Sequence, residues 1–221
     1  MDTPRVMIFA SGDATGGGSG ARKLLENVVS GKLWMDTIAL VSNHENGGAR
    51  RVADDFKIPF ELMQRFEIED YQALVEKYRP DFILLSGWLK LTKGLDKTRT
   101  INIHPGPPKP FGGKGMHGMH VHRAVIEAFQ RGEITYTAVS MFFVTEAFDE
   151  GPEIFHLPIR IDDDETAEAL YQNKIRIVEH QWQWWVTDLV IHGQITWDGS
   201  NKPIVPHWYR SKIFCPDYLK C

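Results

Sequence analysis

The chain has 221 residues, 43% of them hydrophobic and 24% charged, which suits one fairly large α/β domain or two small ones. Its formal net charge of −4 gives no general attraction to nucleic acid or anionic lipid, so we expect small-molecule partners. The two cysteines, Cys215 and Cys221, fit neither a disulfide framework nor a paired metal motif. Without a signal-peptide pattern or an apolar run of about 18 residues, the chain is expected to be cytoplasmic and to bind no membrane.

The first predicted strand, residues 6–10, leads into a glycine-rich loop and then into an amphipathic helix. The loop contains Gly16, Gly17, Gly18, Ser19 and Gly20. Free N–H groups at a helix start favour an anion, so the loop predicts a phosphate site. Gly16, Gly18 and Ala21 also match the dinucleotide pattern G-x-G-x-x-A, but the next strand ends in Ser42-Asn43 instead of an acid for the ribose. A nucleotide-binding protein and a purely structural glycine turn are the alternatives.

Strands and helices alternate through the first half of the chain. We predict strands at 37–41, 58–62 and 82–85, and helices at 49–56 and 71–78. Pro59 places its strand at an edge of the sheet, and the apolar run 82–85 is typical of a strand covered on both faces. The pattern predicts an α/β fold with a Rossmann-like, mostly parallel sheet flanked by helices, in which ligands bind at the carboxyl ends of the strands. Residues 1–200 are assigned to one catalytic domain and 201–221 to a C-terminal tail.

Asn102 and His104 lie two residues apart in a short apolar strand that stops at Pro105-Gly106. Residues two apart in a strand project from the same face, so the carboxamide and the imidazole point together. An amide donor beside an ionisable ring suits a reaction in which negative charge develops on a carbonyl oxygen while a proton moves. Hydrogen bonding within a turn is the structural alternative for this pair.

The second half of the chain begins with a loop-like stretch rich in glycine and proline, from 105 to 122. It contains His117, His120 and His122, but its glycine-rich flanks and lack of Cys or carboxylate argue against a metal site. The segment 107–116 is expected to be mobile and to order over the substrate. The remaining predicted elements are a helix at 121–129, strands at 135–144 and 153–161, a long helix at 166–191 and a last strand at 194–197.

Three ordered motifs of this chain resemble those of the folate-dependent formyltransferases, and most closely of the glycinamide ribonucleotide transformylases. They are Asn102-Ile103-His104-Pro105, Gly118-Met119-His120-Val121-His122, and Phe143-Val144-Thr145 followed by Asp149-Glu150-Gly151-Pro152. The resemblance implies transfer of the formyl group of 10-formyltetrahydrofolate to the amine of glycinamide ribonucleotide in purine biosynthesis. A nucleotide-linked amino sugar is the alternative acceptor. We expect no metal requirement, and the apolar stripe and tryptophans of the C-terminal helix favour a monomer or homodimer.

The resemblance assigns roles to residues of this chain. It implies that Asn102, His104 and Asp149 are catalytic, that His104 is protonated, and that the loop 16–20 binds the substrate phosphate. The residues implied to bind folate are Ser86, Gly87, Trp88, Leu89, Lys90, Leu91, Thr145, Glu146, Ala147 and Phe148. Two positions depart from the family pattern: Gly20 stands where the loop of the family ends in Asn, and Phe142 stands where a histidine is usual.

Overall fold

The structure is a computed structural model, and it describes residues 2–212. The strands are β1 Arg5–Phe9, β2 Asp36–Ser42, β3 Phe60–Leu62, β4 Phe82–Leu85, β5 Thr100–His104, β6 Tyr136–Phe143 and β7 Glu153–Arg160. The helices are α1 Ser19–Val29, α2 Gly48–Phe56, α3 Ile68–Tyr78, α4 Pro108–Phe111, α5 Met119–Gln130, α6 Ala167–Leu170, α7 Arg176–Ile191 and α8 His207–Lys212. None of the helices in the described part of the chain is long and apolar enough to cross a bilayer.

The seven strands form one sheet in the order β3-β2-β1-β4-β5-β6-β7. The pairs from β3 through to β5 are parallel, whereas β6 and β7 pair in antiparallel fashion. The predicted mostly parallel sheet is therefore confirmed, and β3, the strand that follows Pro59, lies at an edge. Because parallel strands end on the same side, the segments that follow β1, β4 and β5 meet at one edge of the sheet.

Both faces of the sheet are buried, which explains why the strands lack polar alternation. In β1, Val6 and Ile8 pack on one side with the apolar faces of α1, α5 and α7. Met7 and Phe9 pack on the other side with Tyr71 of α3. The core is thus two apolar layers separated by the sheet, and it holds the strand ends in fixed positions.

Several predicted elements differ in the structure. The predicted helix at 166–191 is interrupted by a π-helical turn at Tyr171–Ile175, because one extra residue is accommodated between α6 and α7. The predicted strand at 194–197 is wrong: Thr196 makes only an isolated bridge to Ile204. Helix α5 begins at Met119, two residues earlier than predicted, and the short α4 lies inside the segment predicted to be a loop.

The described part of the predicted tail packs against the domain. Tyr209 of α8 is fully buried, and its hydroxyl donates a 2.6 Å hydrogen bond to the carbonyl oxygen of Ile154 in β7. Its ring also stacks on Trp185 of α7, with 5.5 Å between the centroids. A residue of the 201–221 segment therefore belongs to the core.

Replacing Tyr209 should test this contribution to the core. We expect Tyr209→Ala to lower the free energy of unfolding by about 3–5 kcal/mol, the usual cost of removing a large buried aromatic ring. Ile204→Ala is the control, since that side chain is 71% exposed and should change stability by less than about 0.5 kcal/mol. Urea denaturation measures both, and equal stability of the two variants would contradict the placement of Tyr209.

Candidate active site

A cavity of about 650 Å³ opens where β1, β4 and β5 end. Its walls include the glycine loop, the segment after β4, the end of β5, the 113–119 loop and the first half of α7. The two candidate features of the sequence, the glycine loop and the Asn102–His104 pair, thus face one space. This is the position in which open α/β sheets bind ligands.

The glycine loop forms the floor of this cavity at the start of α1. Gly18 precedes the helix in the left-handed conformation, with φ of 78°, which favours glycine. The N–H groups of the first helical turn have no intrahelical acceptor, so they are available to a ligand. Gly17, Gly18, Ser19 and Gly20 line the cavity. Gly16 instead anchors the loop, because its carbonyl oxygen accepts a 2.9 Å hydrogen bond from the N–H of Gly48.

The three predicted catalytic residues converge at the cavity wall. The amide Nδ2 of Asn102 lies 3.5 Å from Asp149 Oδ1, and His104 Nδ1 lies 3.9 Å from Asp149 Oδ2. On the far side of its ring, His104 Nε2 is 2.8 Å from the carbonyl oxygen of Phe111. Since a carbonyl only accepts, this bond assigns a proton to Nε2. Within the described residues, the second N–H of Asn102 has no acceptor and remains available to a substrate oxygen.

The protonation of His104 differs from the expectation. Burial is the largest influence on its ring and lowers its pKa, although the Asp149 carboxylate, the Phe111 carbonyl and the Glu153 carboxylate oppose this change. The resting ring is therefore neutral near pH 7, with Nδ1 as a free lone pair facing Asp149. The lowered pKa therefore argues against the expectation of a protonated His104.

Asp149 is held by the loop that follows β5. Its backbone adopts φ of 54°, an uncommon conformation that aspartate tolerates better than most residues. Oδ2 of Asp149 accepts a 2.9 Å hydrogen bond from the N–H of Gly113. Phe111, which bonds His104 through its carbonyl, is itself buried. The 107–116 segment thus contacts two of the catalytic side chains in the unliganded protein, and its predicted mobility stays a prediction.

A row of polar side chains lies beside His104 on the same face of the sheet. Ser140 of β6 is directly opposite His104 in the strand register, and His156 of β7 is directly opposite Ser140. His156 Nδ1 is 3.2 Å from the hydroxyl oxygen of Ser140 and 3.0 Å from Glu153 Oε1. Phe142, in place of the usual histidine, packs with its ring centroid 6.4 Å from that of His104. The Glu153 carboxylate of β7 therefore opposes the lowering of the pKa of His104 in β5.

Comparison with known proteins assigns this arrangement to a family. The profile of the family described as Formyl transferase matches residues 5–187. The chain belongs to the formyl transferase family.

Individual relatives carry more specific names. A chloroplastic phosphoribosylglycinamide formyltransferase of Arabidopsis thaliana is 30% identical over 214 residues, which cover 91% of this chain and 70% of that protein. A formyltetrahydrofolate deformylase of Haemophilus influenzae is 28% identical over 185 residues, covering 79% of this chain and 62% of that protein. The solved glycinamide ribonucleotide transformylase 1 of Symbiobacterium toebii shares the fold, with a TM-score of 0.77, 19% identity and coverage of 92% of this chain and 95% of that one.

In this formyl transferase the predicted folate residues are divided between two cavities. Ser86, Gly87, Trp88, Leu89 and Phe148 line the main cavity. Thr145, Glu146 and Ala147 instead line a neighbouring cavity of about 490 Å³ with Thr92 and Leu95. Lys90 and Leu91 face neither space: the ammonium of Lys90 lies over the Phe66 ring and the carbonyl of Leu91 accepts a hydrogen bond from Tyr71.

Sequence reasoning missed a second group of residues that line the main cavity: Tyr171, Glu179, His180 and Gln183. Glu179 and Gln183 are four residues apart and therefore share one face of α7. That spacing was visible in the sequence, but polar positions on a helix usually indicate a solvated face. Burial raises the pKa of Glu179 to about 7, and its carboxyl group has no hydrogen-bond partner in residues 2–212.

Clusters of three or more His, Cys, Asp or Glu that could hold a metal are absent from residues 2–212.

The charge of Asp149 should control the proton affinity of His104. Asp149→Asn keeps the shape but removes the nearest negative charge, so the pKa of His104 should fall below its wild-type value. An NMR titration of the His104 ring measures this change. Asp163→Asn, at an exposed position, is the matched control; an unaltered His104 titration in Asp149→Asn would contradict the geometry.

The buried His122 should make stability depend on pH. Burial, the larger influence, and the neighbouring His104 lower the pKa of His122 to about 4, whereas an unfolded histidine titrates near about 6.5. Below about pH 6.5 the unfolded chain binds a proton that the folded chain does not, so stability falls as the pH drops towards about 4. Each pH unit should remove about 1.4 kcal/mol for this group. His122→Phe, which keeps the stack on Tyr171, should lose less stability over this range in urea titrations.

Proposed function

We propose that this formyl transferase transfers the formyl group of 10-formyltetrahydrofolate to the primary amine of glycinamide ribonucleotide. The observation that carries the proposal is the convergence of Asn102, His104 and Asp149 on a cavity whose floor is the N-terminus of α1, a feature suited to phosphate. The relative named phosphoribosylglycinamide formyltransferase supports the choice of acceptor. The cytoplasmic location and the monomeric or homodimeric state stay predictions.

The first chemical step forms a tetrahedral centre. The amine lone pair attacks the formyl carbon, and the formyl oxygen acquires negative charge. The free N–H of Asn102 donates to that oxygen, and this amide is already oriented because its other N–H faces Asp149 at 3.5 Å. A donor fixed before the reaction stabilises the developing charge without reorganisation in the transition state.

The proton of the attacking amine moves through His104. After attack the former amine nitrogen carries an extra proton, and the neutral Nδ1 of His104 accepts it. Asp149 Oδ2, 3.9 Å from Nδ1, stabilises the resulting imidazolium. When the bond between the formyl carbon and the folate nitrogen breaks, that nitrogen takes the same proton from Nδ1. The products are the formamide and tetrahydrofolate, and His104 returns to its neutral form.

The walls of the cavity fit both substrates. The start of α1 suits the phosphate of glycinamide ribonucleotide, and Glu179, which lines the same cavity, offers oxygen acceptors to the ribose hydroxyl groups. Trp88, Leu89 and Phe148 offer an apolar surface for the folate ring system. The neighbouring cavity at 145–147 extends this surface past β5 and gives the longer substrate a second contact area.

Assays with three acceptors test the function. Purified protein is incubated with 10-formyltetrahydrofolate and glycinamide ribonucleotide, a nucleotide-linked amino sugar, or water alone, and release of tetrahydrofolate is followed. Turnover only with glycinamide ribonucleotide is the expected result. Turnover only with the amino sugar reassigns the acceptor, and equal turnover in water alone supports hydrolysis, as the name of the Haemophilus influenzae relative describes. Saturable binding of NADPH without any turnover would favour the nucleotide-binding alternative.

Removing the oxyanion donor should affect the rate more than binding. Asn102→Ala is expected to lower kcat by roughly two to three orders of magnitude, the scale found for single oxyanion donors. The KM values of both substrates should change little, because the donor acts mainly in the transition state. Steady-state kinetics with thermal melts as a folding check measure this effect. Wild-type activity in well-folded Asn102→Ala protein would leave the Asn102–His104 pair with a structural role only.

A further inference from the structure

The end of the glycine loop has no room for a side chain. A Cβ atom at Gly20 would lie 2.4 Å from the hydroxyl oxygen of Ser86 and 3.3 Å from Gln183 Oε1. Ser86 follows β4 and Gln183 lies on α7, so two other segments occupy the space above the first turn of α1. A side chain at residue 20 would therefore displace the Ser86 hydroxyl, which already donates a hydrogen bond to Gln183.

Gln183 places its side-chain amide beside Gly20. It is only 4% exposed, and its Oε1 accepts a 3.2 Å hydrogen bond from the Ser86 hydroxyl. Because the Ser86 hydroxyl donates to Oε1, the Nε2 group of Gln183 points away from Ser86. Among residues 2–212, Nε2 has no acceptor, and Gln183 lines the main cavity. The amide thus keeps two N–H donors without a protein partner at the wall of the cavity.

The cavity wall carries few positively charged side chains, so an anion bound there would depend on neutral hydrogen-bond donors. Lys114 is the one lysine or arginine among the described residues that line the cavity, and it lies on the 113–119 loop. A phosphate at the start of α1 would therefore depend on backbone N–H groups and neutral side chains for most of its hydrogen bonds. Gln183 is placed to supply two of them.

We propose that Gln183 binds the phosphate group of the acceptor substrate, donating from Nε2 at the start of α1 in place of a side chain at residue 20. The inference deepens the proposed function, because it names a specificity-determining residue for the phosphorylated amine. Ser86 acts as a positioning residue, since its hydroxyl fixes the orientation of the amide.

Binding of ribose 5-phosphate tests the proposal without formyl transfer. Gln183→Met removes the donors at nearly constant volume, and loss of a hydrogen bond to a charged group should raise the Kd about tenfold to a hundredfold in calorimetry. Gln183→Glu places a negative oxygen at the same point and should weaken binding more. Binding of ribose without phosphate should be equal in wild type and Gln183→Met. Gln181→Met, on the exposed face of the same helix, is the control.

The outcomes separate the inference from the proposed function. A wild-type Kd for ribose 5-phosphate in well-folded Gln183→Met, or tighter binding in Gln183→Glu, overturns the inference while formyl transfer to glycinamide ribonucleotide can still proceed. Gln183-dependent binding in a protein that does not formylate glycinamide ribonucleotide supports the inference and overturns the proposed function. If the wild type does not bind ribose 5-phosphate, the phosphate site itself is wrong. In the transferase assay, Gln183→Met should raise the KM for glycinamide ribonucleotide and leave the KM for the folate unchanged.

Discussion

The carboxylate of Asp149 joins three segments of the chain that are distant in sequence. Its oxygens face Asn102 and His104 at the end of β5 and accept the N–H of Gly113 in the following loop. Asp149 itself lies in the turn between β6 and β7. Without this carboxylate the amide of Asn102 would be free to rotate and the Gly113 N–H would lose its acceptor. The arrangement of the oxyanion donor, the proton acceptor and the covering loop thus depends on one buried side chain.

Burial determines how the titratable groups of the cavity behave. It lowers the pKa of His104 and His122 and raises that of Glu179, so each of these groups is more neutral than it would be in water. A neutral His104 suits a site that must first accept a proton from an amine and later return it. Glu179 lines the cavity and has no hydrogen-bond partner among residues 2–212. Polar residues of the cavity therefore keep hydrogen-bonding groups available to a ligand.

The features that the sequence predicted from its own residues are those that depend on short-range geometry. Asn102 and His104 share a face because they are two residues apart in one strand, and the glycine loop stands at a helix start because local pattern places it there. Asp149 followed only from family resemblance, since nothing local distinguishes a carboxylate in a turn from a solvated one. Glu179 and Gln183 were missed because their function depends on which way α7 faces, and that is decided by packing across the sheet. The π-helical turn at Tyr171–Ile175 has no comparable local signal in the sequence.

At each of the two departures from the family pattern, the structure places other groups nearby. At Gly20 the loop lacks a side chain, and an amide from α7, held by Ser86, occupies the adjacent space. At Phe142 a histidine is missing from β6, whereas His156 and Glu153 on β7 place a ring and a carboxylate beside Ser140, across the strand from His104. In each case a neighbouring element places polar groups close to the altered position. The groups assigned to the reaction itself lie at the end of β5 and in the turn after β6, where the sheet fixes them. The groups assigned to the acceptor come from α1 and α7, whose facing side chains can change together while the strand ends stay in place.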